Sequence, residues 1–181
     1  MSAPTARPTI RPTAPFAVAD GITLARIPLA LMFIFAANTP VRLAILSLTA
    51  ATDLGDGWVA RRFGSSRIGA VLDPIADRLF MAAAFGVVLF SGRLEWWEVV
   101  AVLARDIIAS VAFFVTLATG RVTAVPARAG GKAVTLLQLL TLFAFVLDSP
   151  LVRHLAWSTA AVGLYAIWDY NRHFFRELKN R

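Results

Sequence analysis

Cysteine is absent from the 181-residue sequence, so disulfides, thiolate metal sites and cysteine nucleophiles are excluded. Histidine occurs twice, as His154 and His173, and neither has a ligand partner at a useful spacing. Charge is scarce, with 16% charged residues against 58% hydrophobic ones. A soluble domain of this length seldom has so apolar a profile, and the composition therefore reads as an integral membrane protein. No polar stretch is long enough to form a second domain, so one compact unit is expected.

Lysine is nearly missing too: Lys132 and Lys179 are the two examples, and arginine carries most of the net charge of +7. In a soluble protein such a balance would suggest nucleic acid. Here the basic residues lie mostly between hydrophobic runs, which points away from nucleic acid and toward membrane orientation and anionic lipid or phosphate partners. Proline is concentrated in the first fifteen residues, "MSAPTARPTIRPTAP", with Pro4, Pro8, Pro12 and Pro15. That density blocks helix and sheet, so residues 1–15 are expected to be a flexible tail ahead of a unit spanning 16–181. The apolar stretch that follows is too long for a secretory signal and has no small-residue cleavage site.

Six hydrophobic runs are long enough to cross the hydrocarbon layer as helices: Phe16 to Ala37, Val41 to Phe63, Ile68 to Ser91, Trp96 to Thr119, Lys132 to Leu147 and Val152 to Tyr170. Helix-stop and turn signals separate them, "NTP" from Asn38, "SGR" from Ser91, "TGR" from Thr119, "ARAGGK" from Ala127 and "DSP" from Asp148. Lipid admits only helices or closed barrels, and these runs are too long and too uniformly apolar for barrel strands. The expected fold is an all-α bundle of six transmembrane helices. On one side of it fall Arg7, Arg11, Arg61, Arg62, Arg67, Arg121, Arg128, Lys132, Arg172, Arg176, Lys179 and Arg181, and on the other only Arg42, Arg93 and Arg153. This asymmetry places both termini in the cytoplasm, with Trp96 and Trp97 in an interfacial belt on the outer side. The segment after Tyr170, "NRHFFRELKNR", reads as a short basic interfacial helix.

Against this apolar background the stretch "DLGDGWVARRFGSSRIGAVLDPIAD" carries four aspartates, Asp53, Asp56, Asp73 and Asp77. Asp53, Asp56, Gly57 and Ala60 fall at i, i+3, i+4 and i+7, one face of a helix; Gly69, Asp73 and Asp77 fall at i, i+4 and i+8, again one face. The junction between these helices, residues 62–67, is cytoplasmic in the topology above, so all four lie within about four helical turns of that surface. Two antiparallel neighbours joined by a short loop turn the two faces toward each other. Carboxylates gathered in a low-dielectric site need either protonation or a counter-charge, and hard oxygen ligands suit Mg, Mn or Ca. Four carboxylates exceed what one octahedral ion takes from protein, which suits a two-metal site. Gly57 and Gly69 leave room for a ligand or a backbone to approach.

These residues carry a resemblance. The stretch resembles the signature of the CDP-alcohol phosphatidyltransferase family, D-x-x-D-G-x-x-A-R followed by G-x-x-x-D-x-x-x-D, matched at Asp53, Asp56, Gly57, Ala60, Arg61, Gly69, Asp73 and Asp77. "ITLARIP" in the first helix resembles the family's N-x-x-T-x-x-R, with Asp20 where Asn is usual, and "GK" opens the fifth helix. The spacer from Arg61 to Gly69 is seven residues, where the family more often has eight. The resemblance implies transfer of a phosphatidyl group from CDP-diacylglycerol to an alcohol with release of CMP, as a step of phospholipid biosynthesis. It implies that Asp53, Asp56, Asp73 and Asp77 hold divalent cations, Mg or Mn, two in number. Asp77 would also be the general base on the acceptor hydroxyl. Asp53, Asp56, Gly57, Ala60, Arg61, Gly69 and Asp73 would hold the cytidine diphosphate. A homodimer in the cytoplasmic membrane of a bacterium is an expectation of the resemblance alone.

The remaining intramembrane charges, Arg26, Arg78, Arg105 and Asp106, are functional candidates, with structural ion pairing as the alternative for Arg105 and Asp106. With Lys132 and Arg128, the arginines Arg26, Arg78 and Arg105 are candidates for a pocket that binds the phosphate of an acceptor. Surplus cations favour a phosphate-bearing acceptor of glycerol type, glycerol 3-phosphate or phosphatidylglycerol, with inositol phosphate as the alternative. A reading of another class is a proton- or cation-coupled transporter that uses the aspartates as carriers.

Overall fold

A computed structural model describes residues 18–63, 69–119 and 129–179. The proline-rich tail, junction residues 64–68 and Arg128 lie outside the described residues. So do the side chains of Asp56, Gly57, Ala60, Arg61 and Gly69, although the backbone at all five is helical. The described chain is all-α: α1 (Val18–Phe35), α2 (Thr39–Phe63), α3 (Gly69–Phe90), α4 (Trp96–Thr119), α5 (Ala129–Val146) and α6 (Val152–Lys179).

Local chemistry sets the breaks. After α3, Gly92 adopts φ of +72°, a conformation that needs no Cβ, and its amide donates back to the Leu89 carbonyl. After α5 the same role falls to Asp148 at φ +55°, and the Ser149 amide closes the cap on the Ala144 carbonyl at 2.8 Å. An ion pair between Arg93 and Asp148 ties the two turns together. At the start of α4 the Glu98 carboxylate accepts from the Glu95 amide at 2.9 Å, and Glu98 also pairs with Arg153 at 3.1 Å. Trp97, its indole N–H donating to Glu95, stacks beside Trp157 at the same end.

Two boundaries differ from those expected. Helix α5 starts at Ala129, so Gly130 and Gly131 lie in its first turn instead of ending a loop. Helix α6 runs unbroken to Lys179 and absorbs the basic segment expected to be a separate short helix.

Buried residues repeat at helical spacing. In α1 they are Thr23, Arg26, Ala30 and Phe33, and in α3 Ala76, Phe80, Ala84 and Val88. The apolar core joins the last turns of α1, α3 and α5 to the first turns of α2, α4 and α6, through Phe33, Leu46, Phe85, Val102, Leu142 and Val152 among others. The opposite end of the bundle is polar. Outward, every helix shows large apolar side chains, such as Leu31, Leu48, Phe90, Phe114, Leu136 and Leu164. By length and composition one helix among the described residues, Trp96–Thr116 within α4, could cross a membrane by itself; Thr23–Phe35 and Gly130–Val146 are shorter apolar stretches. In α2 and α3 the aspartates and arginines interrupt the apolar run.

The arrangement of the helices corrects one expectation. Helices α2 and α3 are not packed face to face among the described residues: α1 makes its most extensive contact with α3 and a further one with α2, and so lies between them. A short connection brings two helices near each other in space, but it does not stop a third from wedging in.

Candidate active site

The wedge carries its own polar groups into the aspartate cluster. Thr23 and Arg26, at i and i+3 on the buried stripe of α1, are 0% and 2% exposed. The Thr23 hydroxyl donates to Asp73, one Arg26 nitrogen donates to Asp77, and the other reaches Asp53 at 3.4 Å. One guanidinium is thereby shared between a carboxylate of α2 and a carboxylate of α3. This answers in part how like charges coexist here: a planar fork with fixed N–H directions holds two acceptors at once. Pro28 and Pro74 lie within α1 and α3 near these groups, each removing a helix amide donor.

Asp53, Asp73 and Asp77 face a cavity of about 400 Å³, a size that suits a small-molecule site. Thr49 and Pro74 also line it, and the rest of the lining includes a basic wall of Arg78 and Arg105 with Asp106, and Thr135 and Gln138 of α5. The side chains of Asp53 and Asp77 are 44% and 47% exposed, so both open onto the cavity while Arg26 stays behind them.

The basic wall is built differently. Arg78 holds its guanidinium 5.6 Å from the centre of the Phe113 ring, and its Nη1 is buried without a hydrogen-bond partner among the described residues. Arg105 Nη1 donates to Asp106 at 2.9 Å. The other Asp106 oxygen accepts from the Gln138 amide at 2.6 Å, and that amide also donates to the Val102 carbonyl at 3.2 Å. Two acceptors on one side require the nitrogen end of Gln138 to face them. The Arg105 side chain threads between two glycines. A Cβ on Gly131 would lie 2.5 Å from Arg105 Nη2, and one on Gly163 would lie 3.7 Å from Arg105 Cβ.

Of the residues singled out in the sequence, the structure brings Asp53, Asp73, Asp77, Arg78 and Arg105 onto one cavity. Arg26 sits on the carboxylates instead of on the basic wall, and Lys132 is an exposed residue of the first turns of α5 outside the lining. Arg105 and Asp106 form the ion pair weighed as their alternative role. Sequence reading gave no separate role to Thr23 and overlooked Gln138. The signal for Gln138 was present: an amide inside the apolar run "LLQLL", where a polar group without a partner is costly.

A hard divalent cation finds suitable chemistry here in the carboxylate oxygens of Asp53, Asp73 and Asp77. The Arg26 guanidinium already marks the space between two of them as a place for positive charge. Among the described residues no three carboxylates are grouped closely enough to hold an ion as they stand.

Comparison with known proteins places the chain. The family model described as CDP-alcohol phosphatidyltransferase matches residues 16–168. The chain is 32% identical over 149 residues to a Mycobacterium tuberculosis protein named "Probable phosphatidylglycerophosphate synthase", covering 77% of this chain and 70% of that one. It is 33% identical over 135 residues to a Mycobacterium bovis protein named "Putative cardiolipin synthase", covering 70% and 64%. It is 32% identical over 131 residues to the Escherichia coli "CDP-diacylglycerol--glycerol-3-phosphate 3-phosphatidyltransferase", covering 67% and 71%. With its aspartate signature and a cavity lined by Asp53, Asp73 and Asp77, the chain belongs to the CDP-alcohol phosphatidyltransferase family, the enzymes of phospholipid biosynthesis.

Proposed function

We propose that the protein transfers a phosphatidyl group from CDP-diacylglycerol to a phosphate-bearing acceptor of glycerol type, releasing CMP. The observation that carries this reading is the cavity, lined both by Asp53, Asp73 and Asp77 and by Arg78 and Arg105. A carboxylate wall suits a cation-bound pyrophosphate. An arginine wall suits a second phosphate, on the acceptor. Relatives of nearly equal identity are named for cardiolipin synthesis and for transfer to glycerol 3-phosphate, and the latter acceptor carries a phosphate on a glycerol.

In this reading Asp53, Asp56, Asp73 and Asp77 hold divalent cations, Mg or Mn, two in number. When bound, these supply neutralisation of the pyrophosphate oxygens and of the charge that moves onto CMP. Asp56, Gly57, Ala60, Arg61 and Gly69 hold the cytidine diphosphate with Asp53 and Asp73. Asp77 accepts the proton of the acceptor hydroxyl as its oxygen bonds to the phosphatidyl phosphorus and the bond to the CMP oxygen breaks. Arg78 and Arg105 hold the acceptor's own phosphate, and Arg128 and Lys132 add positive charge for it. Arg26 supplies the positive charge that Asp53 and Asp77 share.

The helices form a six-span bundle over residues 16–181 with both termini in the cytoplasm, supported by the apolar outer surface and by the arginine asymmetry between the two ends. That depth lets the nucleotide arrive from water while acyl chains stay in lipid. The test supplies purified protein with CDP-diacylglycerol, Mg or Mn, and separate acceptors: glycerol 3-phosphate, phosphatidylglycerol or inositol phosphate. Metal-dependent CMP release with a glycerol-type acceptor, and the matching lipid product, is expected. No metal-dependent release with any acceptor, or with any CDP-alcohol donor, would refute the reading.

A further inference from the structure

Asp106 and Gln138 have no place in the chemistry above, yet they are among the most enclosed polar groups of the cavity. Gln138 is 1% exposed and the Asp106 side chain 13%. Burying an amide and a carboxylate in an apolar bundle is costly unless each is satisfied, and here they satisfy each other and Arg105. The pairing is not a default of helix geometry. Neighbours in sequence point about 100° apart around a helix, so Arg105 must curl sideways to reach Asp106. It can do so because Gly131 and Gly163 leave its path open.

We propose that Asp106 and Gln138 are positioning residues for Arg105, and that Gly131 provides the notch in which its guanidinium lies. This rests on the reading of the cavity as the acceptor site. Gln138 holds one carboxylate oxygen of Asp106, which leaves the other to take a single N–H of Arg105. Without Gln138 both oxygens turn to the guanidinium, and a two-pronged pair forms, the geometry that arginine and carboxylate prefer. That pair withdraws a second N–H from the cavity. With Gln138 in place, more of the five N–H groups of the guanidinium remain for an acceptor phosphate. The Gly131 notch then gives the guanidinium its place, since a Cβ there would lie 2.5 Å from Nη2 and push it aside.

The test is steady-state CMP release with the acceptor varied at saturating CDP-diacylglycerol, in wild type, Gln138→Leu, Gly131→Ala, Arg105→Ala and the double variant Arg105→Ala/Gln138→Leu. Gln138→Leu and Gly131→Ala are each expected to raise the acceptor KM about tenfold, the scale of one hydrogen bond to a charged group. The KM for CDP-diacylglycerol and the kcat at saturating acceptor should stay near wild type. In the Arg105→Ala background, Gln138→Leu should add nothing. An acceptor KM that rises in Arg105→Ala but not in Gln138→Leu or Gly131→Ala overturns the positioning role and leaves the acceptor site intact. An Arg105→Ala variant with unchanged acceptor KM overturns both. A loss shared by both substrates in Gln138→Leu shows a purely structural role and also overturns the inference. If Gln138→Leu does not fold, Gly131→Ala decides, because the nearest atoms to its added methyl belong to the flexible tip of Arg105.

Discussion

Replacing Arg26 with methionine keeps a chain of similar length and deletes the guanidinium that Asp53 and Asp77 share. At the 3.4 Å separation from Asp53, a unit charge pair is worth about 5 kcal/mol at an effective dielectric of 20 and about 1 kcal/mol in water. Nearly half of each carboxylate is exposed, which pulls the value toward the lower figure. Desolvation of a guanidinium that is 2% exposed subtracts more, while two carboxylates left facing each other add some back. A net loss of about 2 kcal/mol follows, equivalent to about 4–8 °C in Tm for a chain of this size. The assay is thermal unfolding in detergent, with and without added Mg or Mn. Arg26 and a divalent cation answer the same need, so the ion is expected to restore most of the lost stability. Its stabilising shift should be larger in the variant than in wild type, because no guanidinium has to leave first. A variant as stable as wild type without metal would refute the shared-cation argument. Equal metal-induced shifts in the two proteins would refute the competition.

Two further outcomes bear on the aspartates. Asp77→Asn should retain nucleotide binding, measured with CDP, and lose CMP release by about 100-fold or more, the scale of a missing general base. Asp56→Ala should weaken both divalent-cation and nucleotide binding, measured by titration calorimetry. Unchanged binding would remove Asp56 from the ligand set.

The aspartate cluster was legible in the sequence because helical phase fixes which residues share a face. Asp53 does face the same cavity as Asp73 and Asp77. Phase says nothing about what a face meets, however. That α1 enters between α2 and α3, and brings Thr23 and Arg26 to the carboxylates, is a matter of packing among three helices. An arginine in lipid near an anionic substrate is equally well explained by a phosphate or by a carboxylate, and only the fold chooses. The turns at Gly92 and Asp148 were readable from "SGR" and "DSP", since their backbone needs are local. The start of α5 was not, because paired glycines end helices in water, whereas in this bundle Gly131 gives clearance to Arg105 and Gly130 lies close to Ala166. Gln138 escaped notice because a single amide in an apolar run acquires meaning only from the acceptors opposite it.

The division of the bundle into an apolar end and a polar end grades its mechanical compliance along the helix axes. Where Phe33, Phe85 and Leu142 interlock, separating the helices strips dense contacts, so amide exchange there should report the global opening. At the other end the helices enclose a cavity and are joined by a few directional bonds, each replaceable by water, an ion or a substrate oxygen. The clasp between the Arg93 and Asp148 turns pins the stiff end. Amide protection is therefore expected to fall along each helix from the interlocked apolar end toward the cavity.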